Sequence, residues 1–140
     1  MSDPLAEAVL GTQSEAIVAA DRDGKISFWN PGAERIFGHA ASSALGQSLD
    51  IMIPERLRQR HWDGYYQVME SGRSRYTAAD VLSVPARRSD GSTISIEFTI
   101  VPLKDRQQRI TGLVAIIRDV TQRFAELREL KKKLAEAGRT

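Results

Sequence analysis

The chain has 140 residues, of which 41% are hydrophobic and 27% are charged, and its formal net charge is +2. This length fits one domain, and the balance of apolar and charged residues is typical of a folded globular protein rather than a disordered chain. The absence of cysteine excludes disulfides, thiolate zinc sites, cysteine nucleophiles and flavin photochemistry that forms a cysteinyl adduct.

The ends of the chain and its apolar segments indicate a soluble, cytoplasmic protein without a membrane or nucleic-acid partner. Residues 1–11 lack the basic and apolar regions of a signal peptide. No apolar run reaches the roughly 18 residues of a membrane span. The basic residues near the C-terminus cluster at the end of a predicted helix, whereas nucleic-acid binding needs a basic face or stripe.

The first predicted elements are a β-hairpin and a short helix. An apolar strand over residues 16–20 precedes an Asp-Gly turn signal at 23–24, and a second strand follows over 25–29. Asn30 suits the N-cap of the helix and Pro31 suits its first turn. The helix is expected to end at Gly38, which follows its apolar residues.

A turn-rich segment over residues 38–53 leads into a longer predicted helix. His39 lies in this segment and is expected to be exposed. The helix extends over residues 54–70 and closes at the Ser-Gly pair 71–72. Its apolar side is defined by residues at helical spacing, namely Leu57, His61, Tyr65, Val68 and Met69.

Three further strands are predicted, over residues 76–87, 93–103 and 110–120. Pro85 places the first of them at a sheet edge or a bulge. The second alternates apolar and polar residues, as in a sheet with one buried face. The third is the most apolar and is expected to be central. The order of elements predicts an α+β domain with a five-stranded antiparallel sheet and helices on one face.

A final amphipathic helix is predicted to end near residue 137, with Asp119 or Thr121 as its cap. It has a seam of three leucines at coiled-coil spacing, Leu127, Leu130 and Leu134. Two heptads are too short to be stable alone. Two interpretations remain open, a helix that pairs with a second copy or another domain, and a helix folded back on its own sheet.

Four motifs occur in the order in which the PAS family has them. They are "VAADRDGKISFWNPGAERIFG" at 18–38, "LGQSL" at 45–49, "RRSDGSTISIEFTI" at 87–100 and "GLVAIIRDVTQR" at 112–123. The chain therefore resembles a PAS domain, a sensory and signalling module. The resemblance implies an N-terminal cap segment at 1–14, a PAS sensor domain at 15–120, and a C-terminal signalling and dimerisation helix at 121–140.

The resemblance also implies a function. PAS domains form a pocket between the sheet and its helices that holds haem, a flavin, a metabolite or nothing. Many act as homodimers whose C-terminal helix relays a signal to an output partner such as a kinase or regulator. No nucleotide-binding loop or nucleophile motif is present, so the chain is not expected to be an enzyme.

The stretch "PERLRQRHWDGYY" at 54–66 resembles the haem-binding helix of FixL-type oxygen-sensing PAS domains. The resemblance makes His61 the proximal iron ligand of haem b, with Tyr65 beside it on the apolar side. Three residues would wall the opposite side if their face of the last strand points inward, namely Leu113, Ala115 and Ile117. The FixL pattern has a gas-binding arginine on the strand after the helix, and residues 76–86 have none.

The alternative is a cofactor-free PAS module for protein–protein interaction and dimerisation. In that case His61 is a packing residue of the helix, and the core is filled by Ile96, Phe98, Ile117 and their neighbours. A flavin-binding redox sensor remains a further alternative that no residue selects.

Overall fold

The centre of the computed structural model, which describes residues 3–72 and 81–138, is a five-stranded antiparallel sheet. The strands are β1 (Ala16–Asp21), β2 (Ile26–Trp29), β3 (Leu82–Arg87), β4 (Thr93–Lys104) and β5 (Ile110–Asp119). They are ordered β2-β1-β5-β4-β3. The predicted α+β fold is confirmed, and the most apolar strand, β5, is central because it pairs with both β1 and β4.

Five helices accompany the sheet: α1 (Pro4–Leu10), α2 (Pro31–Phe37), α3 (Ala41–Ala44), α4 (Arg58–Ser71) and α5 (Thr121–Ala137). Helices α2, α3 and α4 contribute buried side chains to one core, which covers the inner face of the sheet. Helices α1 and α5 bury no residue. Within residues 3–72 and 81–138, no helix is long and apolar enough to cross a membrane.

The β1–β2 hairpin and α2 form as the local sequence predicts. Asn30 caps α2, with its Oδ1 accepting the Ala33 N–H at 2.8 Å, and Gly38 ends it at φ 82°. Two features require glycine at position 24. Its φ is +78°, and an added Cβ would lie 2.1 Å from the Trp62 ring. This turn therefore supports α4 directly.

Two predicted boundaries differ from the structure. The long helix begins at Arg58 rather than at residue 54, because a 3₁₀ turn over Glu55–Leu57 precedes it. The third strand begins at Leu82, and residues 76–80 of its predicted range lie outside the described residues. Pro85 lies on an edge strand, as expected, because β3 pairs with β4 at the end of the sheet.

The predicted cap of the last helix is wrong. Val120 occupies the N-cap position of α5 and contributes no side-chain hydrogen bond. Asp119 instead accepts the backbone N–H of Thr121 at 3.0 Å and its hydroxyl at 2.6 Å. The Thr121 Oγ1 also accepts the Ser95 N–H at 2.9 Å. Thr121 thereby ties the start of α5 to β4, whereas Asp119 accepts the first backbone N–H of α5 from the position before the N-cap.

The leucine seam of α5 does not pack on the sheet. Leu127, Leu130 and Leu134 are 48%, 55% and 65% exposed. The interpretation of a helix folded back on its own sheet is therefore wrong. Exposed leucines at this spacing leave an apolar stripe without a partner in the described part of the chain.

Candidate functional site

The candidate site is built on α4, and hydrogen bonds from Trp62 and Tyr65 help to hold this helix against the rest of the domain. The Trp62 Nε1–H donates to Asp50 Oδ1 at 2.7 Å, and the Tyr65 hydroxyl donates to the carbonyl of Asp21 at the end of β1. Tyr65 is buried, as helical spacing predicts. Burial and the nearby Asp21 charge raise the pKa of Tyr65, so its hydroxyl stays protonated and keeps donating.

His61 lies half-buried on α4, one turn before Tyr65. Its ring centroid is 4.7 Å from that of Trp62, edge-on, and 5.8 Å from that of Tyr65. Its Nδ1 is buried and makes no hydrogen bond within the described residues. Burial lowers the pKa of His61, against a smaller opposing effect of the Asp50 charge. The imidazole is therefore neutral near pH 7, the form that binds a metal.

The three residues predicted on one face of the last strand do point inward. Ile117 is fully buried in the core, and Leu113 and Ala115 pack against it. Their partners on β4 are Phe98 for Ile117 and Ile100 for Ala115. Directly paired residues share a face of a sheet, so Phe98 and Ile100 belong to the same inner surface.

This inner surface is only partly covered. Ile117 is 0% exposed, whereas Leu113, Ala115, Phe98 and Ile100 are all half-buried. Helices α2 and α3 supply buried residues to the core elsewhere, but the middle of β4 and β5 retains accessible apolar surface. The domain therefore has a partly accessible apolar surface on the helix side of the sheet.

The inward side of β3 has no hydrogen-bond donor for a bound gas. Leu82, Val84 and Ala86 pair with Phe98, Ile96 and Ile94, so these three apolar residues share the inner face. This agrees with the absence of an arginine from residues 76–86 of the sequence. A bound gas would meet apolar side chains along the described part of β3.

The residues present fit a haem better than a bare metal ion. Within residues 3–72 and 81–138, no group of three or more histidine, cysteine, aspartate or glutamate side chains lies together as a metal site. A bare ion needs about four protein ligands, but a haem supplies four nitrogens and needs only one axial residue. The neutral imidazole of His61, unpaired within the described residues, meets that single requirement.

Two residues that position the site were not predicted from the sequence. Asp50 holds Trp62, and Arg22 donates from Nη2 to the Met69 carbonyl at 2.9 Å and from Nη1 to the Ile110 carbonyl. Arg22 thereby ties the end of α4 to the start of β5. Residue spacing does not predict the bonds of Asp50 or of Arg22, because the bonded residues come together only when the chain folds.

His39 is not exposed, contrary to the prediction. It is half-buried, with its ring centroid 6.2 Å from that of Trp29, and its Nε2 is buried without a hydrogen-bond partner among the described residues. The Trp29 Nε1–H donates to the His39 carbonyl at 2.9 Å. This bond holds the segment after α2 against the core. The turn-rich composition of residues 38–53 does not predict this bond.

Comparison with known proteins identifies relatives of this architecture. The chain is 29% identical to the sensor protein FixL of Bradyrhizobium diazoefficiens over 132 residues, which cover 94% of the chain and 26% of FixL. It is 23% identical to the oxygen sensor protein DosP of Escherichia coli over 115 residues, 82% of the chain and 14% of DosP. The chain thus spans about a quarter or less of these relatives.

Solved structures and the family comparison agree on the fold. The PAS domain of a protein from Colwellia psychrerythraea superimposes with a TM-score of 0.72 at 23% identity, covering 86% of the chain and 99% of that domain. The family described as the PAS fold matches residues 10–125. The chain belongs to the PAS family of sensory and signalling domains.

Proposed function

We propose that this PAS domain is a sensor that holds haem b, with His61 as the proximal iron ligand. The observation that carries the proposal is the His61 imidazole, which is kept neutral by burial and has no partner for its buried Nδ1 in the described part of the chain. The partly covered apolar surface around Leu113 and Ala115 supports it, since a porphyrin is flat and apolar. The likeness to FixL and DosP, an oxygen sensor by name, points the same way.

When bound, the haem would supply the iron that takes up a diatomic gas or changes redox state. The protein's own part is different. Tyr65 and Trp62 hold α4 in place through Asp21 and Asp50, so His61 is presented from a fixed helix. A signal arises only if the bound ligand favours one arrangement of α4 and α5 over another.

Titration of the purified protein with hemin tests this proposal. We expect a sharp Soret band that saturates at one hemin per chain, because one axial imidazole defines one site. A broad band that grows with added hemin and never saturates would contradict it. The absorption spectrum of the titrated protein is the measurement.

The second candidate is a cofactor-free interaction module. It is favoured by the contacts of His61 with Trp62 and Tyr65, which are those of a packing residue. In that case the hemin titration shows no saturable site, and the functional surface is the dimer. Both candidates make the chain a signalling module rather than an enzyme.

We further propose that the domain forms a homodimer through α5 and signals to an output partner such as a kinase. The exposed seam of Leu127, Leu130 and Leu134 is the support, together with the regulatory histidine kinase FilI of Methanothrix harundinacea, 27% identical over 128 residues, which are 86% of the chain and 13% of FilI. Burying these leucines in a paired helix removes apolar surface from water.

Replacing Leu130 with alanine is expected to weaken self-association by about tenfold or more. Each buried leucine contributes roughly 1.5–3 kcal/mol, and about 1.4 kcal/mol is a factor of ten. Lys132→Ala is the matched control, since it lies on the other side of the same helix. Sedimentation equilibrium gives both association constants, and equal constants for the two variants would rule out the seam as the interface.

A further inference from the structure

A cleft of about 280 Å³ lies between the segment after α2, the start of α4 and the end of β3. It is lined by His39, Asp50, Ile51, Arg58, Arg87, Arg88 and Ser89. It is separate from His61, which does not line it. We propose that this cleft is a binding site for a small free oxyanion, a dicarboxylate or inorganic phosphate.

The charge of the lining favours an anion. Three guanidinium groups face one carboxylate, that of Asp50. This carboxylate is already engaged, because it accepts the Trp62 indole N–H at 2.7 Å and lies 4.0 Å from Arg58 Nε. A negatively charged ligand therefore meets an excess of positive charge. Arginine guanidinium groups bind carboxylates and phosphates through paired hydrogen bonds.

Two of the arginines are available to a ligand. Within residues 3–72 and 81–138, neither Arg87 nor Arg88 makes a side-chain hydrogen bond or an ion pair. Hydrogen bonds from Ser92, with a smaller effect of the Arg88 charge, lower the pKa of Asp90. Its carboxylate accepts the Ser92 N–H at 2.9 Å and the Ser92 hydroxyl at 2.5 Å. Among the described residues, the guanidinium donors of both arginines have no partner and can bind an oxyanion.

The third arginine is fixed in advance. Arg58 donates from Nε to the Ile53 carbonyl at 3.1 Å and from Nη2 to the Asp50 carbonyl at 3.3 Å. Its side chain is 31% exposed, so it is held against the cleft rather than extended into water. An ordered guanidinium binds an anion at a smaller entropic cost than a free surface arginine.

The two walls of the cleft are fastened to each other. The Ser89 N–H donates to the Phe37 carbonyl at 2.8 Å, which joins the β3–β4 hairpin to the end of α2. The chains approach closely here, since a Cβ on Gly38 would lie 2.4 Å from Ser89 Oγ. The cleft is therefore a built feature of the fold.

The size of the cleft limits the ligand. Pockets for drug-sized molecules are about 300–1,000 Å³, so a cleft of about 280 Å³ suits a small molecule. Several guanidinium groups around so small a space favour a dianion over a monoanion.

Both tryptophans are hydrogen-bonded to residues that line the cleft. The Trp29 Nε1–H donates to the His39 carbonyl and the Trp62 Nε1–H to the Asp50 carboxylate, so each indole is bound to a residue of the lining. Trp62 also touches the His61 ring. Trp62 therefore links Asp50, which lines the cleft, to His61, the proposed haem ligand.

Two-dimensional ¹H–¹⁵N NMR of the haem-free protein tests the proposal. Inorganic phosphate or succinate is added at constant ionic strength, with chloride as the balancing anion. We expect saturable shifts of both indole signals and of the Gly38 and Ser89 amides. Arg87→Gln/Arg88→Gln should weaken binding by at least about tenfold, because it removes two of the three recognising groups.

The control is Lys104→Gln/Arg106→Gln. It also removes two positive charges, but from two exposed residues that do not line the cleft. It should bind phosphate and succinate as the wild type does. Shifts that never saturate, or an equal loss in the control, would overturn the proposal in favour of non-specific charge effects.

The carboxylates of a haem have the same chemistry as a free dicarboxylate. If free anions fail to saturate while Arg87→Gln/Arg88→Gln weakens hemin binding, the cleft serves a haem propionate and the proposal of a free-anion site fails. The NMR titration uses haem-free protein, so its result is independent of whether His61 binds iron.

Discussion

Replacing Asn30 with alanine is expected to lower the free energy of unfolding by about 3–5 kcal/mol, a large part of the roughly 5–15 kcal/mol that stabilises a domain. Asn30 is 1% exposed. Its Oδ1 accepts the N–H groups of Ile17 and Ala33, each at 2.8 Å. Alanine leaves the buried Ile17 N–H without its partner and removes the cap of α2, which alone contributes about 0.5–2 kcal/mol.

The amide nitrogen of Asn30 adds to this loss. Its Nδ2 donates to the carbonyls of Leu10, Thr12 and Glu15 at 3.0–3.1 Å. Leu10 ends α1, and Thr12 and Glu15 lie in the segment that joins α1 to β1. The substitution therefore releases the N-terminal segment as well as destabilising α2.

The control for Asn30 is Asp3→Ala, which removes the cap of α1. Asp3 is exposed, and α1 buries no residue, so the free energy of unfolding should fall by less than about 1 kcal/mol. Urea unfolding followed by circular dichroism gives both values. If the two variants lose the same amount, the buried network of Asn30 does not stabilise the fold as described.

Asn30 also shows how far the sequence predicts the fold. Its role as the cap of α2 follows from local spacing, because the capped Ala33 N–H is three residues away. Its bonds to Leu10, Thr12 and Ile17 cross between elements that lie apart in the sequence. Local patterns predict the elements and their ends, whereas such long-range bonds depend on how the elements pack.

The same distinction applies to the candidate site. The shared face of Leu113, Ala115 and Ile117 follows from strand alternation, and the burial of Tyr65 follows from helical spacing. The inward direction of that face depends on how the strand packs. The bond from Trp62 to Asp50 follows from neither, since a 3₁₀ turn and a helix start separate them.

The arginine cleft was missed for a related reason. Arg58 lies in the predicted long helix and Arg87 at the end of a predicted strand, and no local pattern relates the two. They line one cleft because the Ser89–Phe37 bond brings the hairpin to α2. No periodic residue pattern predicts such a backbone bond between segments that lie far apart in the sequence.

Replacing His61 with alanine is expected to abolish the sharp Soret band and to weaken hemin binding by about 100-fold, roughly 2.7 kcal/mol, if His61 is the only axial ligand from the protein. The matched control is His39→Ala, which removes the other histidine of the chain and should leave the Soret band in place. Imidazole added to His61→Gly should restore the band, because the free base replaces the missing ligand. A packing role for His61 predicts no such rescue.

The pH dependence of the wild type separates ligation from packing further. A proton competes with iron for the imidazole, and burial lowers the pKa of His61. Hemin affinity should therefore be constant from about pH 8 to about pH 6.5, the ordinary pKa of histidine, and fall only below it. In His61→Ala this loss at low pH should disappear. If the wild type and His61→Ala bind hemin alike at every pH, His61 is not the ligand, and the cofactor-free signalling module becomes the better description of this domain.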